Sequence, residues 1–329
     1  METLLNKLKI VPVPVLLSST DEALVYLVKR DLLGENVMPI EYVWNLPAAQ
    51  KIINKQQADG SWAFPGRKPV VYPPHHYKLV ETFKQFRILI ERYQFTKDNP
   101  AIGKAAEYLF SCQTTAGDIR GFIGNQYATY YTGAVLSLLI KAGYTNDTRV
   151  EKGLHWLLSM RQNDGGWTIP LLTHKFDRAT IYRLTSQFAE PVEPDYSKPF
   201  SHNWTDMVLR AFAAHSRYRH SKEAKKAGTL LKSRFFQPDV YSSYRSASYW
   251  TRFQFWWPNL LTSLESLFSI GFTKDDPDIK VALNWFINHQ VDDGLWYLSY
   301  NRPEKKINAK IILERQWLSY AICRMLKNG

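Results

Sequence analysis

Three similar stretches punctuate the chain: QADGSW at residues 57–62, QNDGGW at residues 162–167 and, one residue longer, QVDDGLW at residues 290–296. Each follows an apolar stretch with helical periodicity and precedes a loop and a second such stretch. Asp-Gly and Gly-Gly pairs end a helix and favour a tight reversal of the chain. The Trp can then fold back on the preceding Gln. Because such a unit cannot bury its apolar face alone, the repeats are expected to stack side by side.

Two weaker copies extend the series. Gln113 opens one of them, in which Phe122 stands in the place of the Trp, and Gln237 opens another that lacks the Gly-Trp ending. In four copies the fifth and fourth residues before the glutamine are both apolar: Ile52-Ile53, Tyr108-Leu109, Leu157-Leu158 and Trp285-Phe286. Five unrelated helix ends in a Trp-rich chain would not share this register, so we favour a true repeat.

These turns resemble the QW motifs of the squalene/hopene and oxidosqualene cyclases, whose architecture also occurs in the β-subunits of protein prenyltransferases. The resemblance extends over about residues 40–327. It implies an all-α fold, an α/α toroid of the α6/α6 type with outer and inner helices. It implies much less about activity, because one fold serves many functions.

One repeat array accounts for the chain, and no low-complexity linker divides it. We expect residues 1–38 to form an N-terminal arm and a leading helix packed on the toroid, and residues 39–329 to form the toroid as a single unit. The longest interval between copies indicates an insertion at residues 168–201, long enough to be a lid.

The helices that end in the repeat glutamine, which we call motif helices, are predicted at about 40–57, 100–113, 149–162, 221–237 and 277–290. The partner helices are predicted at about 77–95, 127–142, 203–219, 253–271 and 312–327. The partner helices are apolar over most of their circumference, which predicts an inner ring. Small residues such as Gly133 allow them to pack closely.

The composition limits the choice of partners. With 42 Lys and Arg against 30 Asp and Glu, the net charge is +12. Its interpretations are a solvated surface, peripheral contact with an anionic membrane, and capture of a diphosphate-bearing substrate. Nucleic acid is not expected, because no binding module accompanies the charge.

The two cysteines, Cys112 and Cys323, favour a reducing compartment. With no apolar run of membrane-spanning length, we expect a cytoplasmic protein, membrane-peripheral in the alternative.

In the family that the chain resembles, chemistry takes place in a central cavity at the N-terminal ends of the inner helices. Free N–H groups and helix dipoles at such ends favour anions. The residues placed there are the candidate substrate-binding set: His76, Tyr130, Asn203, Trp204, Arg252, Trp256, Trp257, Glu314 and Trp317. Together they predict an aromatic rim for an isoprenoid or other apolar molecule. The alternative for each residue is packing against a loop.

The acid motif of class II terpene cyclases, D-x-D-D, is absent from this sequence. The segment at the comparable place, residues 201–207, carries one carboxylate, Asp206. His202 lies four residues earlier and is near enough to hydrogen-bond it. Asp206 and His202 are therefore the candidate catalytic residues, Asp206 as a proton donor. In the alternative, Asp206 stabilises the helix start by its charge.

No metal or cofactor is expected. The run Asp275-Asp276-Pro277-Asp278 lacks the D-D-x-x-D spacing of ionising terpene synthases and is typical of a helix N-cap. Trp250-Thr251-Arg252 and Glu314-Arg315 stand where the resemblance to prenyltransferases would place zinc ligands. The sequence thus leaves open three classes: a terpenoid cyclase-like isomerase or lyase, a catalytically silent toroid that binds a hydrophobic ligand, and a carbohydrate-active α6/α6 barrel.

Overall fold

The computed structural model describes residues 4–241, 246–253, 257–303 and 307–329. Trp256, a candidate binding residue, lies outside the described residues. The chain forms two compact units, one of residues 47–230 and the other of residues 1–46 together with 231–329. Across its described part the chain is helical and has no β-strand, which confirms the predicted all-α class.

The helices in chain order are α1 (Val13–Leu17), α2 (Glu22–Leu27), α3 (Glu41–Trp44), α4 (Pro47–Ile53), α5 (His76–Glu91), α6 (Pro100–Ser111), α7 (Thr129–Leu139), α8 (Thr148–Ser159), α9 (Arg178–Ser186), α10 (His202–Ala214), α11 (Lys222–Lys232), α12 (Leu260–Ser269), α13 (Pro277–Asn288) and α14 (Ala309–Asn328). Short π-helical segments extend α2 and α7. The predicted leading, motif and partner helices occur with shorter bounds at most ends, except that the motif helix predicted at about 40–57 is divided into two short helices, α3 and α4.

Two boundaries differ from prediction in ways that affect the candidate site. Helix α12 begins at Leu260 rather than near residue 253, because the side chain of Asn259 accepts hydrogen bonds from the N–H groups of Leu261 and Thr262. Arg252 and Trp257 therefore precede the helix instead of occupying its first turn. Within the insertion, α9 is a helix that the sequence pattern did not predict.

The repeat turns share one backbone geometry, which is fixed by a glycine. Gly60, Gly117, Gly165 and Gly294 have φ values of 86°, 120°, 107° and 81°, a conformation that L side chains rarely adopt. Two residues later stand Trp62, Ile119, Trp167 and Trp296. The prediction that Phe122 replaces the Trp of the second copy is therefore wrong. Ile119 takes that position.

The Trp side chain ties each turn to the end of its own motif helix. In three turns the indole N–H donates to the carbonyl oxygen ten residues earlier: Trp62 to Ile52 at 2.8 Å, Trp167 to Leu157 at 2.7 Å and Trp296 to Phe286 at 2.9 Å. The Gln237 copy has the same kind of bond over a longer loop, from Trp250 to the carbonyl of Gln237 at 2.9 Å. The turns around Gly60, Gly165 and Gly294 are thus held by hydrogen bonds to carbonyls in the last turn of a helix, where the helix itself supplies no full set of donors.

A side chain four residues before the glycine closes each turn from the other side. Its N–H donates to the glycine carbonyl, in the pairs Gln56–Gly60, Gln113–Gly117, Arg161–Gly165 and Gln290–Gly294. The equivalent residues are therefore Gln56 and Arg161, not Gln57 and Gln162, and the last turn contains no extra residue. In these two copies the sequence analysis selected the residue one position too late. Both neighbouring positions carry a side chain that can donate a hydrogen bond to the glycine carbonyl, so the sequence alone does not distinguish them.

A hydroxyl group on the partner helix joins each turn to the next helix. The backbone N–H two residues after the glycine donates to it in the pairs Trp62–Thr82, Ile119–Thr132, Trp167–Thr205 and Trp296–Ser319. These bonds connect α4 with α5, α6 with α7, α8 with α10, and α13 with α14. The repeated helix pair of the α/α toroid class is confirmed by this common connection.

The partner helices α7 and α10 pack closely because Gly133 leaves room for the facing backbone. A Cβ atom added at Gly133 would lie 2.6 Å from Val208 Cα and 3.0 Å from the carbonyl oxygen of Met207. Of the residues of α7, only Tyr131 is not fully buried. The close approach positions the first turns of both helices, which carry candidate site residues.

The N-terminal arm docks on the last repeat turn. In the first two turns the glutamine N–H also donates to a carbonyl at the start of the next motif helix, that of Ala101 or Arg149. Gln290 instead donates to the carbonyl of Ile10 at 2.6 Å and accepts from its N–H at 3.0 Å. In the first two turns the second backbone partner of the glutamine comes from the next motif helix. In the last turn it comes from Ile10 of the N-terminal arm.

Candidate functional site

The first turn of α10 is held in place by the preceding repeat turn. Ser201 is the N-cap, and its hydroxyl accepts from the N–H of Trp204 at 3.3 Å. The Ser201 N–H donates to the carbonyl of Trp167 at 3.0 Å, and Thr205 bonds the same residue. His202, Asn203 and Trp204 follow the cap and are all buried. The sequence therefore placed these three candidates correctly at a helix start.

Five aromatic rings from α5, α7, α10 and the loop before α7 form one continuous group, which we call the aromatic cluster: Phe83, Phe122, Tyr130, Tyr131 and Trp204. The rings of Phe122 and Tyr131 stack with centroids 3.9 Å apart. Tyr130 lies 4.4 Å from Tyr131 and 4.5 Å from Trp204. Phe83 meets Phe122 and Tyr131 edge-on at 5.8 and 5.5 Å. The candidates Tyr130 and Trp204 are thus in direct contact.

Asp206 lies one half-turn beyond Trp204 and forms an ion pair. Its side chain is 1% exposed, and Oδ2 accepts hydrogen bonds from Arg210 Nη2 at 2.6 Å and Nε at 3.1 Å. Ser201 is the cap of α10, so Asp206 does not cap this helix, and stabilisation of the helix start by the charge of Asp206 stays a prediction. Asp206 instead forms an ion pair within α10, with Arg210 one turn later. A catalytic role for Asp206 or His202 stays a prediction.

A second buried arginine, Arg87 of α5, lies in the same region. Its guanidinium Cζ is 5.4 Å from the ring centroid of Phe83. Burial lowers the pKa of Arg87 to about 10, with a further lowering by the like charge of Arg210 and an opposing effect of Glu91. A buried guanidinium therefore lies against one ring of the aromatic cluster.

Four further candidates belong to the unit of residues 1–46 and 231–329: Arg252, Trp257, Glu314 and Trp317. Arg252 lies over the ring of Tyr249 at 5.6 Å, and Trp257 is buried before α12. Trp317 of α14 donates from its indole N–H to Asp21 Oδ2 at 3.0 Å, which fixes the start of α2. Glu314 is half-buried one turn before it. Their binding roles stay predictions.

His76 holds a loop. Its Nδ1 lies 2.8 Å from the carbonyl oxygen of Gly121, and its ring packs edge-on against Tyr77. The adjacent His75 contacts the same loop, and burial lowers its pKa while a hydrogen bond with the backbone of Arg120 opposes the shift. Both histidines therefore contact the segment that leads into Phe122 and α7.

The insertion is attached to the loop before α7 by polar contacts. Asn125 Nδ2 donates to the carbonyl of Ala189 at 3.0 Å, and Gln126 Nε2 to that of Glu190 at 3.1 Å. The hydroxyl of Tyr127 donates to Glu193 at 2.9 Å. These contacts connect the insertion to the segment that carries the first residues of the cluster. A lid function stays a prediction.

Sequence reasoning did not select Phe83, Arg87, Phe122 or Arg210. A local signal existed for Arg210, which stands four residues after Asp206 on an otherwise apolar helix, the spacing of a helical ion pair. Arg87 is likewise a charge inside an apolar helical pattern. Phe122 was assigned to the turn instead. Nothing in the sequence indicated that Arg87 and Arg210 lie close enough to influence each other.

Two further carboxylates on partner helices are paired, Glu81, which is buried, and Glu265, which is half-buried. Glu81 accepts from Lys84 at 3.2 Å and from Gln85, and Glu265 accepts from Arg324 at 2.7 Å. Within the described ranges, no three His, Cys, Asp or Glu side chains come together as metal ligands. Nor does any helix there have the length and apolar character needed to cross a membrane.

Residues 81–186, which include most of the aromatic cluster, match the family described as the squalene-hopene cyclase C-terminal domain. Over these residues the predicted resemblance to this superfamily is confirmed. No curated protein matches the sequence.

Several solved structures are similar over most of their length. A protein from Actinoplanes has 13% identity over 88% of this chain and 87% of that chain, with a TM-score of 0.43. The type II terpene cyclase MstE from Scytonema has 14% identity over 87% of this chain and 97% of that chain, with a TM-score of 0.31. A variant of MstE in complex with its product, merosterolic acid A, has 13% identity over 88% and 96%, with a TM-score of 0.37.

Proposed function

We propose that the protein binds an isoprenoid or another apolar molecule at the aromatic cluster. The observation that carries the proposal is the unbroken contact of Phe122, Tyr131, Tyr130 and Trp204, with successive centroids 3.9, 4.4 and 4.5 Å apart. Aromatic rings offer large apolar surfaces at low conformational cost. Apolar sites with a few oriented polar groups are typical of small-molecule binding. Tyr131, half-buried where the rest of α7 is buried, is the ring best placed to meet a ligand.

A titration followed by Trp fluorescence tests the binding proposal. Farnesol- and geranylgeraniol-type compounds should change the emission of the wild type, and Trp204→Phe should remove most of that change. Tyr131→Leu should weaken the affinity about tenfold or more, as expected for the loss of an aromatic contact. Tyr144→Leu is the matched control, because Tyr144 is a half-buried tyrosine just beyond the other end of α7. Its affinity should equal that of the wild type.

Two outcomes would contradict this proposal. One is a response to short oligosaccharides without a response to isoprenoids, which favours the carbohydrate-active class. The other is the absence of any response, together with no apolar compound in an organic extract of the purified protein analysed by mass spectrometry.

We further propose Asp206 as the acid if the bound molecule is converted to an isomer. Asp206→Asn should then abolish conversion while binding is retained. Arg210→Met breaks the same ion pair but keeps the carboxyl group, so it should lower stability without abolishing conversion. Glu265→Gln, which removes another arginine-paired carboxylate, is the control and should convert normally. Equal losses of activity in Asp206→Asn and Arg210→Met, matched by equal losses of stability, would leave Asp206 a structural role only.

A further inference from the structure

A groove lies on the exposed side of α8, beside the turn around Gly117, and we call it the α8 groove. It is open to solvent, has a volume of about 660 Å³, and is lined by Ala116 and by side chains of α8 between Thr148 and Ser159. Residues three or four positions apart share one face of a helix, which brings the polar side chains of the lining into one row. The volume falls within the range of small-molecule sites, about 300–1,000 Å³. The groove is therefore large enough for an organic molecule.

The turn around Gly117 forms one wall of the groove because it lies directly against α8. A Cβ atom added at Gly117 would stand 2.7 Å from the carbonyl oxygen of Lys152 and 3.1 Å from Cβ of Trp156. The φ value of 120° at this glycine is a conformation that L side chains rarely adopt. The two walls are thus joined by close packing of turn and helix, so the groove is built into the second repeat.

Trp156 provides the floor of the groove and a hydrogen-bond donor. The residue is only 6% exposed, and its ring lies 5.8 Å from that of Tyr127. Among the residues that the structure describes, no group accepts a hydrogen bond from its indole N–H, and this N–H is accessible. A buried tryptophan usually pairs its N–H with an acceptor. The donor is therefore available to an acceptor on a ligand.

Donors outnumber acceptors around this tryptophan. Thr148, Lys152 and His155 are exposed, and within the described part of the chain their side chains form no hydrogen bond or ion pair. A neutral histidine still carries one N–H donor. Glu151 is the acidic residue of the lining, and its Oε1 is paired with Arg217 while its Oε2 is buried. The charge of Lys152 is therefore left without compensation in the groove.

We propose that the α8 groove binds a small organic anion. A carboxylate or phosphate group accepts from the indole N–H of Trp156 and from the ammonium group of Lys152, which lies four residues earlier on the same face of the helix. The apolar part of the ligand lies against Ala116. A cation fits less well, because Glu151 already has a partner in Arg217. The lining contains no residue of the aromatic cluster, so this proposal is independent of the ligand site there.

NMR of the full chain labelled with nitrogen-15 at the tryptophan indoles locates the site. The chain has eleven tryptophans, and Trp156→Phe identifies the signal of Trp156 by its disappearance. The probes are para-(trifluoromethyl)benzoate and phenyl phosphate, one for each anionic group. The Trp156 N–H signal should move downfield and saturate with at least one probe, and the probe that acts identifies the group. The signal of Trp167, whose N–H is bonded to Leu157, should not move.

Fluorine-19 NMR of the benzoate measures the affinity of variants. Lys152→Met should weaken binding about fivefold, the upper value for an exposed ion pair. Lys104→Met is the matched control, because Lys104 is an exposed lysine whose carbonyl faces Gly60 as that of Lys152 faces Gly117. Its affinity should equal that of the wild type. Trp156→Phe should weaken binding about tenfold or more, since a donor to a charged acceptor is lost.

The proposal is overturned if neither anion moves the Trp156 signal. It is equally overturned if para-(trifluoromethyl)benzylamine, the cationic counterpart, moves that signal as far as the benzoate does. Equal losses of affinity in Lys152→Met and Lys104→Met would also overturn it, because they indicate non-specific attraction by surface charge. Far-UV circular dichroism and thermal unfolding establish that each variant is folded. Should Trp156→Phe not fold, the comparison of the two lysine variants, which needs no signal assignment, decides the proposal.

Discussion

The indole N–H of Trp167 donates to the carbonyl oxygen of Leu157 at 2.7 Å, and the two residues are ten positions apart. Trp62 and Trp296 repeat this relationship with Ile52 and Phe286. Each Trp therefore satisfies a carbonyl at the end of a motif helix while its ring is buried. In each repeat, this hydrogen bond ties the turn to the end of the motif helix and so fixes the direction in which the chain leaves that helix.

Trp167 should be essential for stability. Trp167→Ala removes the ring and should lower the free energy of unfolding by about 3–5 kcal/mol. Trp167→Phe keeps an aromatic ring but removes the indole donor to the Leu157 carbonyl, which retains the N–H of Met160 at 3.2 Å as a donor. The loss of this one hydrogen bond should cost about 0.5–1.5 kcal/mol. Urea denaturation measures both. Unchanged stability in Trp167→Ala and in the same change at Trp62 and Trp296 would show that these turns are not structural.

Thr205 should stabilise the protein through its hydroxyl group. It is fully buried and accepts from the backbone N–H of Trp167 at 2.8 Å. Thr205→Val keeps the shape but leaves that buried N–H unpaired, at a cost of about 1–3 kcal/mol. Thr205→Ser retains the hydroxyl and is the control. If Val and Ser lower the urea midpoint equally, packing of the methyl group rather than the hydrogen bond explains the effect.

Gly133 should tolerate no side chain. An alanine there would place Cβ 2.6 Å from Val208 Cα, which the facing backbone can relieve only by moving. Gly133→Ala should cost about 1–3 kcal/mol, as overpacking does. Gly103→Ala is the matched control in helix α6, where the nearest atom would lie at 3.9 Å. Since alanine is the better helix former, this control should be neutral or stabilise by up to about 1 kcal/mol. Thermal unfolding of both variants decides the comparison.

The first repeat turn should weaken in acid. Hydrogen bonds from Ser61 and Lys78 lower the pKa of Asp59 to about 2, from 3.8 for the free group. The carboxylate thus stabilises the folded state fully above the unfolded pKa, and this contribution is lost as the pH falls through the folded pKa. Asp59→Asn should be less stable than the wild type at neutral pH, by about 1 kcal/mol or less because the carboxylate is half exposed. The difference should vanish near pH 2 in urea titrations. A difference that stays constant with pH would contradict this assignment.

Much of the fold follows from local chemistry that the sequence displays. Helical periodicity, Asp-Gly turns and cap residues act over a few positions, so the helices around Gly60, Gly165 and Gly294 could be predicted. The start of α10 was predictable for the same reason, and with it the positions of Trp204 and Asp206. The resemblance to the cyclases rested on these same local turns.

Contacts between distant segments were decided only in three dimensions. Whether Gln56 or Gln57 closes the first turn depends on which side chain reaches the carbonyls of Gly60 and Ala101, and two adjacent donors look alike in a sequence. Phe122 joined the aromatic cluster instead of the turn because the loop before α7 brings it against Tyr131. Stacking between rings from distant segments leaves no pattern among neighbouring residues of the sequence.

The sequence by itself determined an all-α chain of repeated helix pairs with an aromatic, lightly charged set of helix starts. The tertiary structure decided that Asp206 is paired with Arg210, that Arg87 of another helix adds charge beside the rings, and that α9 presents Tyr182 to solvent. The physical reason is the distance along the chain over which each interaction acts. Turns, caps and helical periodicity depend on residues that are neighbours in the sequence. Burial, contacts between helices and exposure of a surface depend on which distant segments meet when the chain folds.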